Sequence, residues 1–308
     1  MGRANPVSVS APAYGATHPM AGIGVLFLST WALSGLDASG KWVMGLGVPL
    51  FVMCWVRYVV HFLLVLGLVL PSRGLGVFRS ARLSAQIARG SAMLLATLSF
   101  FTALHYLPQA EATAINFLAP LIMLSVAPWV LKEPARKSRW VAAGVGFLGV
   151  LIIIRPDAGL HPIGTVFGLL TACLFAVQYL ATRRVAVDSP FTTLVWSGAV
   201  GSVCLTLALP FILPDALPML AALSPWQWII LLSTGFWGAV GHLLQIQAYR
   251  YAPASTLAPF IYLQIISAAV LGWLIWGQFP DALSWLGIAI VCLSGITIGL
   301  VEWKGRKL

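Results

Sequence analysis

The sequence predicts an all-α integral membrane protein with ten transmembrane helices arranged as two inverted five-helix repeats. Three observations carry this expectation: a composition that cannot wet a soluble surface, ten long apolar runs, and a duplication at an offset of about 141 to 145 residues. Of the 308 residues, 60% are apolar and only 8% are charged, against about 25% charged in an ordinary soluble domain. Eighteen basic and eight acidic side chains leave most of the outside to face lipid. The same composition excludes a disordered chain, a collagen-like chain and a secreted disulfide scaffold. Cys54, Cys173, Cys204 and Cys292 each lie in an apolar run without CxxC spacing or a neighbouring histidine ligand, and read as small hydrophobes.

The elements follow in chain order. Residues 1 to 19 are rich in Ser, Ala and Pro, and Ala11-Pro12-Ala13 precedes the first apolar run. A signal peptide has the opposite order, so a disordered cytoplasmic tail and an uncleaved first helix are expected. A helix crosses the hydrocarbon layer with about 20 apolar residues. On that ruler the spans fall at 20 to 38, 49 to 70, 90 to 106, 111 to 131, 140 to 154, 163 to 182, 192 to 213, 226 to 248, 254 to 276 and 284 to 301. Helix breakers mark the connections: Pro71, Pro108, Pro134, Pro156 with Pro162, Pro190, Pro214 with Pro218 and Pro225, Pro253 and Pro280. The longest connection is about 19 residues long. The first repeat is expected over 20 to 154, the second over 155 to 301, and a basic tail over 302 to 308.

Basic residues orient the bundle. With the N-terminus inside, one face collects Arg3, the group Arg73, Arg79, Arg82 and Arg89, the group Lys132, Arg136, Lys137 and Arg139, then Arg183, Arg184, Arg250, Lys304, Arg306 and Lys307. That is 15 of 18, with Lys41 and Arg155 opposite and Arg57 inside a span. The positive-inside rule places both termini in the cytoplasm. The net charge of +10 is therefore a topology signal, and nucleic acid is not expected as a partner.

The halves repeat one another. His18-Pro19 recurs as His161-Pro162, Lys41 as Arg184, Pro49 as Pro190 and Trp55 as Trp196; Ala103 to Pro108 recurs as Ala248 to Pro253, and Trp140 as Trp285. Five spans is an odd number, so the second copy enters the membrane from the other side, as in secondary transporters. Together with Ala112 to Pro120-Leu121, Leu131-Lys132-Glu133 and the glycine-rich Trp140 to Val150, this pattern resembles the EamA repeats of the drug/metabolite transporter superfamily. The second half departs from it: Gln264 stands about where the proline of the first half would, and Gln278 replaces the acidic Glu133. The resemblance implies a carrier of small organic metabolites in a plasma membrane, the inner membrane of a bacterium, whose members export amino acids or take up vitamins and nucleotide-like solutes.

Polar residues inside spans mark candidate function, because a charge at a span centre costs about 2.5–3.5 kcal/mol. Arg57 with His61 at i+4 forms a candidate cationic wall; the sequence leaves open whether Arg57 meets solute or is held by Asp37 or Glu111. Thr30, Ser34, Asp37 and Lys41 form one stripe in which Asp37 and Lys41 can pair. His242, Gln245 and Tyr249, preceded by Gly235, Gly238 and Gly241, form the most cavity-like face. Asn116 with Thr113, Gln178, and Tyr262 with Gln264 are further candidates, and Trp31 and Trp237 are candidates to stack on a flat solute. Asp37 and Glu111 are candidates for proton coupling or ion pairing, with His61 and His242 as titratable alternatives. Trp140, Trp226, Trp228, Trp285 and Trp303 read as interfacial belts.

Enzyme signals are weak. Gly144-Val-Gly146-Phe-Leu-Gly149 matches GxGxxG but sits inside a span with no strand before it. The histidines His18, His61, His105, His161 and His242 never share a span at ligand spacing, so no metal or other cofactor is expected. The expectation is a non-enzymatic secondary transporter working by alternating access on an amino-acid-like or vitamin-like solute, aromatic or heterocyclic, with Pro108 and Pro253 as flex points and a homodimer as a candidate assembly. A receptor or assembly subunit, and an intramembrane enzyme, are the rival classes.

Overall fold

The computed structural model describes residues 18–131, 137–155, 159–252 and 254–304. Of the expected tails at 1 to 19 and 302 to 308, residues 1 to 17 and 305 to 308 lie outside the described residues, as do the connection carrying Lys132, Glu133, Pro134 and Arg136 and the residues Pro156 and Pro253, while Pro19 and residues 302 to 304 belong to helices. The chain forms α1 (Pro19–Gly45), α2 (Leu50–Arg73), α3 (Leu83–Tyr106), α4 (Gln109–Asn116), α5 (Ala119–Leu131), α6 (Lys137–Ile154), α7 (Pro162–Arg184), α8 (Pro190–Ala221), α9 (Pro225–Tyr251), α10 (Ala254–Leu257), α11 (Leu263–Trp276) and α12 (Ala282–Lys304). Two 3₁₀ turns, Gly74–Phe78 and Ala258–Tyr262, complete the set, and no strand occurs among the described residues. Among the described residues, nine helical segments are long and apolar enough to cross a membrane, and Phe260–Trp276 is a shorter apolar helix. The protein is a multi-pass, all-helical membrane protein.

Several prolines that mark connections in the sequence act inside or at the start of helices. Pro19, Pro162, Pro190 and Pro225 each occupy the first turn of a helix, where the missing N–H is one that would have no intrahelical partner anyway. Ser189 caps α8, and Ser224 with Gln227 forms a reciprocal capping box on α9. Pro71 lies within α2, and Pro210, Pro214 and Pro218 lie within α8. The last three are four residues apart, so the backbone carbonyls they free fall along one face and the helix continues past them. The long connection at 71 to 89 is likewise shorter than expected, because the 3₁₀ turn fills part of it and α3 begins at Leu83.

The fourth and ninth spans are interrupted. α4 stops at Asn116, and Phe117 and Leu118 close the turn through 3₁₀-like bonds to Ala114 and Ile115. Pro120 has no N–H to return to the Asn116 carbonyl, which is why the helix cannot run through. In the second half the break is the 3₁₀ turn Ala258–Tyr262, seeded by Pro259 rather than by a residue at the position of Gln264. The two breaks meet: the rings of Phe117 and Tyr262 lie 4.8 Å apart.

The principal helix packings are α1 on α9, α3 on α7, α2 on α8 and on α9, α3 on α8, α5 on α7, α1 on α11, and α6 on α12. Met53, Phe101, Leu104, Ile115, Leu121 and Ile153 are among the fully buried side chains of the common core. Glycines set the closest approaches. The GxGxxG stretch is part of α6, and its Gly149 lies against α12 so tightly that a Cβ there would sit 2.9 Å from the Gly287 carbonyl oxygen. Gly287→Val should therefore overpack this contact at a cost of about 1–3 kcal/mol and lower the Tm of the detergent-purified protein. Gly144→Ala, whose added Cβ meets nothing within 4 Å, should leave the Tm unchanged.

Candidate functional site

Arg57 is 8% exposed on the inner face of α2. Its Nη1 donates to Thr97 Oγ1 at 3.2 Å, and its guanidinium lies 4.9 Å from the Tyr58 ring centroid and 5.8 Å from that of Phe101. Its Nε has no partner. One turn further, the His61 ring stands edge-on to His242 of α9 with centroids 5.8 Å apart. Arg57, Tyr58, His61, Met93, Ser197, Gly198 and His242 line a small recess. His242 also belongs to the wall of a larger cavity of about 410 Å³, a volume in the range of metabolite sites. That cavity is walled by Arg89 of α3, Thr182 of α7, Thr193 and Leu194 of α8, and Gln245, Ile246 and Tyr249 of α9; Val185, Ala186, Asp188 and Pro190 form its rim.

The structure thus brings together five of the candidates, Arg57, His61, His242, Gln245 and Tyr249. It places the others elsewhere. Trp31 packs edge-on against Phe27 at 6.2 Å, and Trp237 covers Gly35 of α1, so neither lines the cavity or the recess. Gln264 accepts through its backbone carbonyl from Ser34 and Ser267. Tyr262 packs against Phe117 at the helix breaks, the rings tilted by 37°. Asn116 ends α4 with its Oδ1 unpartnered, and the Thr113 hydroxyl is unpartnered as well. Gln178 is buried, lies one turn from the cavity-lining Thr182, and has an unpartnered Oε1.

The acidic candidates are also resolved into separate places. Asp37 is buried within electrostatic range of Arg57, yet among the described residues the ion pair is Arg155 with Asp281, and neither Asp37 nor Glu111 pairs with Arg57. The stripe pairing of Asp37 with Lys41 does not form. Lys41 Nζ instead donates to the Leu107 carbonyl at 2.6 Å and to Gln278 Oε1 at 3.2 Å, 5.0 Å from the Trp276 ring, because its long side chain reaches past its own helix. Glu111 lies at that same end of the bundle, beside Ser284 and Lys41.

The sequence profile of the EamA-like transporter family matches this chain twice, at residues 20–155 and again at 162–300. The chain belongs to the EamA-like transporter family. Among relatives of this EamA protein, the S-adenosylmethionine uptake transporter of Rickettsia bellii is 24% identical, covering 93% of this chain and 96% of its own. The riboflavin transporter of Vibrio cholerae is 26% identical over 94% of this chain and 96% of its own. An uncharacterized transporter of Helicobacter pylori is 30% identical over 67% of this chain and 70% of its own. A solved crystal structure superposes with a TM-score of 0.62 at 16% identity, covering 91% of this chain and 98% of its own, a likeness of fold.

Arg89 is the site residue that sequence reasoning missed. Counted among the basic residues of a connection, it lies in the second turn of α3 and points into the EamA cavity. The usable signal was the stripe Gln86, Arg89, Met93 and Thr97, at i, i+3, i+7 and i+11. Both ends of the bundle are tied by side-chain contacts. At the cavity rim, Asp188 accepts from Ser80 Oγ at 2.5 Å, from the Ala81 N–H at 2.9 Å and from Gln86 Nε2 at 2.9 Å, and Arg82 donates to the Arg184 carbonyl at 3.1 Å. Desolvation alone would raise the Asp188 carboxyl, but these bonds and the nearby Arg82 hold it below its usual value.

At the other end Arg155 pairs with Asp281 at 2.7 Å. The Ser284 backbone N–H, with Arg155, pulls the exposed Asp281 carboxyl down to about 2. A depressed carboxylate contributes stability that is present above its ordinary value of 3.8 and lost as pH falls through about 2. The Tm advantage of the wild type over Asp281→Asn should therefore be constant from neutral pH down to that ordinary value, fall between 3.8 and about 2, and be gone below about 2. A difference that does not change with pH would assign the effect to helix capping alone.

Proposed function

We propose that this protein is a secondary transporter that carries a small organic metabolite across the plasma membrane by alternating access. The observation that carries the reading is the cavity of about 410 Å³ walled by Arg89, His242, Gln245 and Tyr249 and continued by the recess at Arg57 and His61. Relatives named for uptake of S-adenosylmethionine and transport of riboflavin support a solute of metabolite size with a heterocycle. Tyr249, Gln245 and His242 supply a phenol, an amide and an imidazole for such a body, and the arginines supply charge.

The two halves, 20 to 154 and 155 to 301, act as inverted repeats. Exchanging each span of one half for its counterpart in the other maps the principal packings onto one another. α1 on α9 becomes α7 on α3, α2 on α9 becomes α8 on α3, and α1 on α11 becomes α7 on α5, while α2 on α8 and α6 on α12 map to themselves. The interruption of both the fourth and the ninth span supports the same reading, since broken helices at corresponding positions mark the binding region of inverted-repeat carriers. With both termini cytoplasmic, as the basic residues indicate, the cavity rim at Asp188 faces the cytoplasm.

Uptake into proteoliposomes tests the reading, using radiolabelled S-adenosylmethionine, riboflavin and the aromatic amino acids, with a wider metabolite panel as competitors. Saturable, competable flux above empty liposomes is expected; flux at the empty level across the panel sinks it. Arg57→Gln removes a charged hydrogen-bonding group and should weaken uptake about 10- to 100-fold. Unchanged affinity and rate in a correctly inserted protein would assign Arg57 to structure.

A further inference from the structure

Arg89 is held in place by neutral groups. Its Nε donates to Thr182 Oγ1 at 2.8 Å, and its Nη1 donates to Ser197 Oγ. Both hydroxyls have already given away their proton: Thr182 donates to the Gln178 carbonyl at 2.7 Å and Ser197 to the Thr193 carbonyl at 2.6 Å, each one turn back in its own helix. A hydroxyl has a single proton, so each presents only lone pairs to the guanidinium. The guanidinium is thereby held between α7 and α8, and among the described residues its Nη2 makes no hydrogen bond, while Arg89 forms part of the cavity wall.

No carboxylate neutralises it. Among the described residues neither Arg89 nor Arg57 has an ion-pair partner. The one acidic residue on the cavity, Asp188, is committed at the rim to Ser80, Ala81 and Gln86. His242 borders both the cavity and the Arg57 recess and feels both guanidinium groups. The cavity and the recess are thus lined by two arginines with no described carboxylate paired to either, Asp37 lying within electrostatic range of Arg57 without bonding to it, which is an electrostatic mould for a negatively charged guest.

Resting on the transporter reading, we infer that the solute is an organic anion. Its carboxylate or other oxyanion group is gripped by the free fork of Arg89, and its body lies along Tyr249, Gln245 and Ile246 toward His242 and Arg57. A planar oxyanion matches two parallel N–H groups of a guanidinium, a geometry that a lysine ammonium lacks. The pinned fork is pre-organised, so little ordering is lost when the guest docks.

The test compares matched solutes on the full-length protein purified in detergent, by thermal shift and titration calorimetry: indole-3-acetate against indole-3-acetamide, and riboflavin 5′-phosphate against riboflavin. In at least one pair the anion should bind about tenfold or more tightly than its neutral mate. Arg89→Gln should remove that preference, and Arg89→Lys should restore only part of it. Should Arg89→Gln fail to fold, Thr182→Val and Ser197→Ala keep the charge but release the fork, and each should weaken the preference. Neutral mates binding as well as the anions, no anion binding at all, or a preference that survives in the folded variants overturns the assignment. The same pairs in proteoliposomes separate the two readings. Flux of the neutral members alone leaves transport standing and removes the anion site, whereas anion binding without flux of either member keeps the site and removes transport.

Discussion

The hydrocarbon layer offers no hydrogen bonds, and the architecture follows from that. Each backbone N–H and C=O must be satisfied inside its own segment, so spans this apolar can only be helices, and a helix can break only where protein rather than lipid surrounds the break. Both interruptions obey this. The turn after Asn116 and the turn around Pro259 lie against each other through Phe117 and Tyr262 instead of facing outward. The unpartnered Thr113 hydroxyl and Asn116 amide oxygen lie beside the first of them. Irregular backbone and unmet polar atoms thus concentrate in the interior, where a guest or water can meet them.

Scarcity of charge is the second consequence. A charge near a span centre costs about 2.5–3.5 kcal/mol, so the charges kept inside need a use. Lys41 is satisfied by a carbonyl and an amide at one end, and Asp188 by a hydroxyl, a backbone N–H and an amide at the other. Arg57 and Arg89 are different, since their partners are hydroxyls and ring faces that orient them without cancelling their charge. Interhelical polar contacts in membranes average only about 0.6 kcal/mol each. The arrangement thus fixes direction more than it adds stability.

Most of the fold was legible because long apolar runs and basic asymmetry are one-dimensional signals. The spans follow from hydropathy, and the family profile matches the chain in the two halves that the spacing of the repeat marks. What was not legible depends on where a side chain ends rather than where it begins. Lys41 reads as the partner of Asp37 four residues earlier, yet its chain extends to Leu107 and Gln278, residues brought near only by folding. Arg89 sits beyond the apolar run that defines the third span, but α3 starts six residues before it, so a residue assigned to a connection enters the cavity wall. Prolines misled for a related reason. The same residue type breaks the fourth span at Pro120, opens α9 at Pro225 and is absorbed within α8 at Pro214, depending on which carbonyl it deprives.

Three ties at the ends of the bundle, at Arg155, Lys41 and Asp188, are none of them strong, dry ion pairs. The Arg155–Asp281 bridge is solvent-exposed, and water screens such pairs so that they contribute little. The Lys41 and Asp188 contacts join a charge to neutral groups, which water can replace on opening. Two states that alternate must lie within a few kcal/mol of each other, or a solute's differential affinity cannot move the balance. Weak, replaceable ties at both ends and uncancelled charge between them meet that requirement together. On the proposed reading, these ties exchange their bonds for water at little cost, and the charge of Arg57 and Arg89 is left for a guest to meet.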